Sequence, residues 1–164
     1  MRLLKKIRTP PLPTPPNFFL SINMNIIQWN IDGYYTHLYE LQKIKSQFQP
    51  VAIALQETKF KPNHKPSLKN YTFFRKDNVN GLVACGGVAL LINNTYSPFP
   101  VALLTPLQAT AVQITVNNLR LTICNIYLPP DERISETQLA NISRQLPSPF
   151  YICGDFNAHN PLWG

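Results

Sequence analysis

The chain has 164 residues, of which 45% are hydrophobic and only 14% charged, with 15 Lys and Arg against 8 Asp and Glu for a formal net charge of +7. That is one domain's length with enough apolar residues for a core, and it excludes a disordered polyelectrolyte. No apolar run is long enough for a membrane-spanning helix, and the three cysteines (Cys85, Cys124 and Cys153) lack the spacing of a zinc site or a disulfide framework. A basic balance suits a polyanionic partner such as nucleic acid, or serves solubility alone.

More than half of the net charge lies in residues 1–23, where Arg2, Lys5, Lys6 and Arg8 face no acid. Five prolines between Pro10 and Pro16 favour an extended, unpaired backbone there. We read residues 1–23 as a disordered leader, a poor signal peptide, with Met24 as an alternative start. From Asn25 the pattern becomes that of a folded domain. "NIIQWN" reads as a buried strand closed by a turn at Gly33. "YYTHLYELQKIKSQF" sets Leu38, Leu41, Ile44 and Phe48 at helical spacing up to Pro50. "VAIALQE" is a strand covered on both faces. Residues 58–70 form a loop with basic residues that continue through Arg75 and Lys76. "YTFFR" and "VALLIN" are further strands, the second introduced by Gly86 and Gly87.

"FPVALL", "ATAVQITV" and "LRLTICNIYL" continue the strands, with Asn117 and Asn118 as a hairpin turn because asparagine tolerates positive φ. "SETQLANISRQL" opens with Ser135 and has Gln138 three residues on, the signature of a capping box. "PFYICGD" is the last strand. Cys124 and Cys153 lie inside apolar strands and are expected to be buried free thiols. This order of elements suggests α and β layers about a central mixed sheet.

Four strands end in polar groups: Asn30 with Asp32, Gln56 with Glu57, Asn125 with Tyr127, and Asp155 with Asn157. Strand ends are where sheet proteins gather ligand sites. If these ends meet, Asp32, Glu57 and Asp155 repel one another unless a cation relieves them. An all-oxygen donor set of carboxylates and amides suits Mg²⁺ or Mn²⁺, which leaves positions for substrate phosphate. Each residue also has a plain structural reading, Glu57 as a surface carboxylate, Gly154–Asp155 as a turn, Tyr127 as a core aromatic; only their shared placement favours a site.

The pieces "QWNIDG", "LQETK", "CGGVALLI", "NIYLPP" and "GDFNAHNPLWG", in that order, resemble the endonuclease/exonuclease/phosphatase superfamily. The last piece is similar to the endonuclease domain of non-LTR retrotransposons of the jockey-like group. The resemblance covers residues 24–164 and implies a four-layered α/β sandwich with two packed sheets. It implies phosphodiester hydrolysis with Mg²⁺ or Mn²⁺ and no small-molecule cofactor. The substrate would be DNA, nicked to leave a 3′-hydroxyl that primes reverse transcription, and the implied location is nuclear. By the same resemblance Glu57 is the metal ligand and Asp32 a second acidic position. Asn30 supports the metal carboxylate and Asp155 orients the attacking water. Asn157 and Tyr127 contact the scissile phosphate.

His159 is placed on the substrate side or in a structural role, because the family's proton-handling histidine belongs to a later Ser-Asp-His motif absent from these 164 residues. The expectation is therefore a truncated domain, weak or inactive, whose last strand lies at an open sheet edge. The alternatives are a non-catalytic remnant that binds nucleic acid weakly, and the same fold turned to a phosphorylated inositol or lipid substrate.

Overall fold

The computed structural model describes residues 24–80, 83–132 and 134–157; the expected leader and His159 lie outside them. Along the chain run β1 (Ile26–Asn30), α1 (Leu38–Phe48), β2 (Ala52–Gln56), β3 (Tyr71–Lys76), β4 (Val79–Asn80), β5 (Val83–Ala84) and β6 (Val88–Asn93). They are followed by β7 (Phe99–Val101), β8 (Gln108–Val116), β9 (Leu119–Tyr127), α2 (Glu136–Gln145) and β10 (Phe150–Asp155).

The strands do not join in one central sheet, as the order of elements alone suggested. They form two four-stranded sheets, β1-β2-β6-β3 and β10-β9-β8-β7, with β4 and β5 as a separate small hairpin. Each large sheet contains one parallel pair, β1 with β2 and β9 with β10, and is otherwise antiparallel. The helix between the strands of each parallel pair supplies the crossover that parallel pairing requires.

Strand periodicity explains the layering. Alternate side chains leave opposite faces of a strand. Ala52 and Ala54 of β2, Leu90 and Ile92 of β6, Val112 and Ile114 of β8, Ile123 of β9 and Cys153 of β10 form one buried cluster between the sheets. Ile53, Leu55, Ala89 and Leu91 face the other way and pack with Leu41 of α1. Ala109, Ala111, Cys124 and Ile126 likewise meet Ile142 and Leu146 on the side of α2. The result is four layers, helix, sheet, sheet, helix. Cys124 and Cys153 are free and buried, and burial pushes both thiols up to about 12, so they stay protonated.

Local signals hold where the chemistry is local. Ser135 caps α2 with the full reciprocal box to Gln138, and Asn117 and Asn118 both take positive φ in the turn between paired Val116 and Leu119. Two boundaries differ. Helix α1 begins at Leu38 rather than Tyr34, because Tyr34 is pulled into the core against Phe60 and Phe73, with its hydroxyl donating to Ser67 O at 2.7 Å. The strand expected through Leu104 ends at Val101, and Leu104 is 90% exposed. There the Gln145 carboxamide takes the place of a strand partner, accepting from Leu104 N at 2.7 Å and donating to Leu104 O at 3.3 Å. Strand β10 lies at the edge of its sheet, as expected, with Phe150 partly exposed. No described helix is long and apolar enough to cross a membrane.

One buried polar bridge ties the sheets together beneath their polar ends. Gln56 and Asn125 are both fully buried; Gln56 Nε2 donates to Asn125 Oδ1 at 2.6 Å, and Asn125 Nδ2 donates to Leu55 O at 2.8 Å and Ala89 O at 2.9 Å. A buried polar group left without its partner costs about 1–3 kcal/mol. Asn125→Ala removes all three bonds, although Gln56 Nε2 keeps Ala54 O at 3.3 Å and the Leu55 and Ala89 carbonyls keep their places opposite each other in the β2–β6 ladder; it is expected to destabilise the chain by about 1–3 kcal/mol, read as a lowered midpoint in urea with an unchanged slope.

Candidate active site

The inward faces of the central strands grade from apolar to polar toward one end of the sandwich. On β1 the series is Ile26, Gln28, Asn30; on β2 it is Ala52, Ala54, Gln56. On β9 it is Ile123, Asn125, Tyr127, and on β10 it is Tyr151, Cys153, Asp155. The parallel registers Asn30↔Gln56 and Asp155↔Tyr127 bring the polar ends level within each sheet.

Across the sheets the ends meet through Asn30. Its Nδ2 donates to Glu57 Oε1 at 2.7 Å and to Asp155 Oδ2 at 2.8 Å. A carboxamide nitrogen carries two N–H groups, and here each serves a different carboxylate. One amide thus holds together two acids that come from different sheets and would otherwise repel. Asp155 is fixed on its other oxygen by Asn157 N at 3.2 Å, and Asn157 Nδ2 donates to Leu128 O at 2.8 Å. Tyr127 is 5% exposed. Burial, the adjacent Glu57 carboxylate and the charges of Asp155 and Asp32 hold its hydroxyl well above the usual tyrosine range. It remains a neutral O–H donor at any physiological pH.

The backbone under these groups is unusual. Glu57 (φ 53°), Asp32 (φ 48°) and Asn157 (φ 40°) all lie in the left-handed region. Asparagine and aspartate tolerate that region; glutamate has no such excuse, and strain of this kind persists only where the surroundings over-determine it. Here they do. Gly33 N donates to Glu57 O at 2.8 Å, Thr58 N to Gly87 O at 3.2 Å and Lys59 N to Gly86 O at 2.9 Å. The glycine pair fits because a Cβ on Gly86 would lie 2.6 Å from Gln108 Oε1 and 3.1 Å from the Tyr127 ring. Gln108 Oε1 in turn accepts from Gly87 N at 2.6 Å.

Asn30, Glu57, Asp155, Tyr127 and Asn157 are therefore brought together. Asp32 is on the rim: it is mostly exposed and ion-paired with Lys59, which holds its carboxyl below the usual range. Among the described residues no group of three or more His, Cys, Asp or Glu side chains gathers as a metal cluster. A donor set of Glu57 and Asp155, with amides around them, still fits a small hard cation that takes one or two carboxylates and keeps several waters. His37 packs its ring on Trp29, and His64 Nδ1 accepts from Lys61 N. Neither hydrogen-bonds into the Asn30–Glu57–Asp155 group.

Sequence reasoning missed Gln28, Gln108 and Lys59 as neighbours of the site. The first two could have been found, because each is a polar residue at an inward-facing position of a strand.

A model of the endonuclease/exonuclease/phosphatase family matches residues 27–164. The probable RNA-directed DNA polymerase from transposon X-element of Drosophila melanogaster is 28% identical over 146 residues, 86% of this chain and 16% of that protein. The RNA-directed DNA polymerase from mobile element jockey of the same organism is 26% identical over 141 residues, 83% of this chain and 15% of that protein. Among solved structures, the endonuclease domain of TRAS1, a telomere-specific non-LTR retrotransposon, is similar with a TM-score of 0.62 at 20% identity, over 85% of this chain and 63% of that one. An AP endonuclease from Archaeoglobus fulgidus gives 0.54 at 18%, over 80% and 56%. At such identities the solved structures establish the fold, and the chain spans less than two thirds of each of these proteins.

Proposed function

The chain belongs to the endonuclease/exonuclease/phosphatase family and is related to the endonucleases of non-LTR retrotransposons, and on that premise we propose that it carries the metal-side half of a DNA-nicking phosphodiesterase site. The observation that carries this reading is the single amide of Asn30 donating to both Glu57 and Asp155. Two carboxylates converging on one donor make an oxygen-rich, negatively charged end of the sandwich, which suits Mg²⁺ or Mn²⁺ better than a softer metal.

Glu57 would hold the cation, with Asp32 as an outer acidic position if Lys59 releases it. When bound, the cation would supply charge neutralisation at the phosphate and its departing oxygen. The remaining work falls to this chain's own groups. Asp155, pinned by Asn30 and by Asn157 N, accepts a hydrogen bond from the attacking water and so aims it. The Tyr127 hydroxyl, kept protonated, donates to a phosphate oxygen. Asn157 has one amide N–H occupied by Leu128 O and presents the rest of its carboxamide to the phosphate. The relatives' kind of element makes the product of interest a 3′-hydroxyl available to prime reverse transcription.

The second reading, a non-catalytic remnant, is favoured by one observation: the two histidines within the described residues are engaged elsewhere. For the 164-residue chain by itself we expect nicking of supercoiled plasmid in Mg²⁺ to be weak or absent. DNA retention should fall steeply with salt, given the net charge of +7. Robust nicking that disappears in Glu57→Ala and Asp155→Ala would establish a competent enzyme and end the remnant reading.

A further inference from the structure

Gln28 lies on the same inward face of β1 as Asn30, one side-chain repeat earlier. Its carboxamide makes two bonds to one residue of the opposite sheet. Nε2 donates to Gly154 O at 2.6 Å, and Oε1 accepts from Gly154 N at 3.3 Å. This is how a neighbouring strand would pair with Gly154, supplied here by a side chain. Among the described residues strand β10 is an edge strand, with β9 as its one sheet neighbour. Asp155 O is taken by Leu128 N at 2.9 Å on the β9 side, so it is the backbone of Gly154 that faces β1 just ahead of the Asp155 side chain. The clamp sits directly before Asp155, whose carboxylate must reach Asn30 of the same β1. Gln28 to Gly154 and Asn30 to Asp155 are thus two successive rungs between the sheets.

We propose that Gln28 is a positioning residue that sets the register of Asp155 against Asn30 and Glu57, and through it the divalent-cation affinity of the site. This inference rests on the metal reading above. Without Gln28, β10 keeps its ladder to β9 but can slide or twist relative to β1. Asp155 then loses its fixed distance to the Asn30 amide, while the core between the sheets is untouched. Groups that orient a ligand without touching the metal typically change its affinity by about 10–100-fold when removed.

The test is a Mn²⁺ titration of the full chain, reading free Mn²⁺ by electron paramagnetic resonance, beside a thermal melt of each variant. Gln28→Met keeps the packing and removes both hydrogen bonds. It is expected to stay folded and to bind Mn²⁺ about tenfold more weakly. Should Gln28→Met not fold, Gln28→Leu serves, since it is also uncharged and removes both hydrogen bonds; the same direction is expected. A purely structural role would lower the melting temperature and leave the Mn²⁺ affinity of the folded chain unchanged, and that result overturns the proposal. Glu57→Ala separates the two levels. Binding that survives Glu57→Ala, or no binding by the unsubstituted chain, overturns the metal reading and this inference with it. Binding lost in Glu57→Ala but unaltered in the Gln28 variants overturns this inference alone.

Discussion

Glu57→Gly is expected to abolish measurable Mn²⁺ binding, lowering affinity by more than about 100-fold, above the range of an outer supporting group, while leaving the chain as stable as before or more so. The two halves of this result have different causes. Binding falls because Glu57 is one of only two carboxylates that Asn30 gathers, and the cation proposed here needs at least one firmly held carboxylate. Stability does not fall because Glu57 sits at φ 53°, a conformation that costs a non-glycine residue about 1–3 kcal/mol and costs glycine nothing of the kind. Removing the charge also relieves its repulsion with Asp155. A site residue that is worth more for function than for stability is the expected pattern where strain is held for a purpose. Metal titration and a urea melt on the same preparation check both halves. A large loss of stability with Mn²⁺ binding retained would make Glu57 a structural carboxylate.

Gly154→Ala is expected to be more damaging to the fold than any other single methyl added at the site. A Cβ at this position would lie 1.9 Å from Ile126 O and 2.8 Å from Ile126 C. These are backbone atoms of the adjacent strand and cannot swing aside as a side chain could. Relief requires β10 to leave β9, which breaks the parallel ladder from Phe150 to Asp155 and the Gln28 clamp with it. Ordinary overpacking costs about 1–3 kcal/mol because side chains share the displacement. Here the ladder itself must open, so the cost should exceed about 4 kcal/mol, the range reserved for backbone conflict and comparable lesions. The melt of Gly154→Ala should show no cooperative native transition near that of the unsubstituted chain, or one shifted down by many degrees. A small shift would mean that β10 is held more loosely than its register implies. Gly33→Ala is the useful comparison, since its nearest neighbour would be the Thr36 hydroxyl at 3.3 Å, a group able to rotate, so its cost is the strain of a side chain at φ +108° without a backbone clash.

How much of this was legible in the residues varies with the range of the interaction. The α2 capping box and the Asn117–Asn118 turn depend on a few consecutive residues, and both stand where the residues put them. The longer strands followed from apolar runs, whereas the short β4–β5 hairpin is marked by none. Strand length did not follow from such runs: Leu104 continues an apolar run, yet it leaves the sheet because Gln145, far along the chain, satisfies its backbone. Tyr34 likewise belongs by spacing to a helix and by packing to the core. The placement of Asn30, Glu57, Asp155 and Tyr127 at strand ends was visible, together with the oxygen-rich chemistry they imply.

By itself, then, the sequence determined both helices, the longer strands and the residue types at the polar end, because these depend on local periodicity and side-chain chemistry. The family resemblance implied two packed sheets, but only the tertiary structure decided which strands make up each of them. Only it decided that Asn30 spans them to hold Glu57 with Asp155, that Asp32 turns aside to Lys59, and that Gln28 fastens Gly154. The physical reason is the same for all four. Each is a contact between residues brought together by sheet pairing and packing, and a hydrogen bond of that kind is chosen by which strand lies opposite, which no stretch of neighbouring residues encodes.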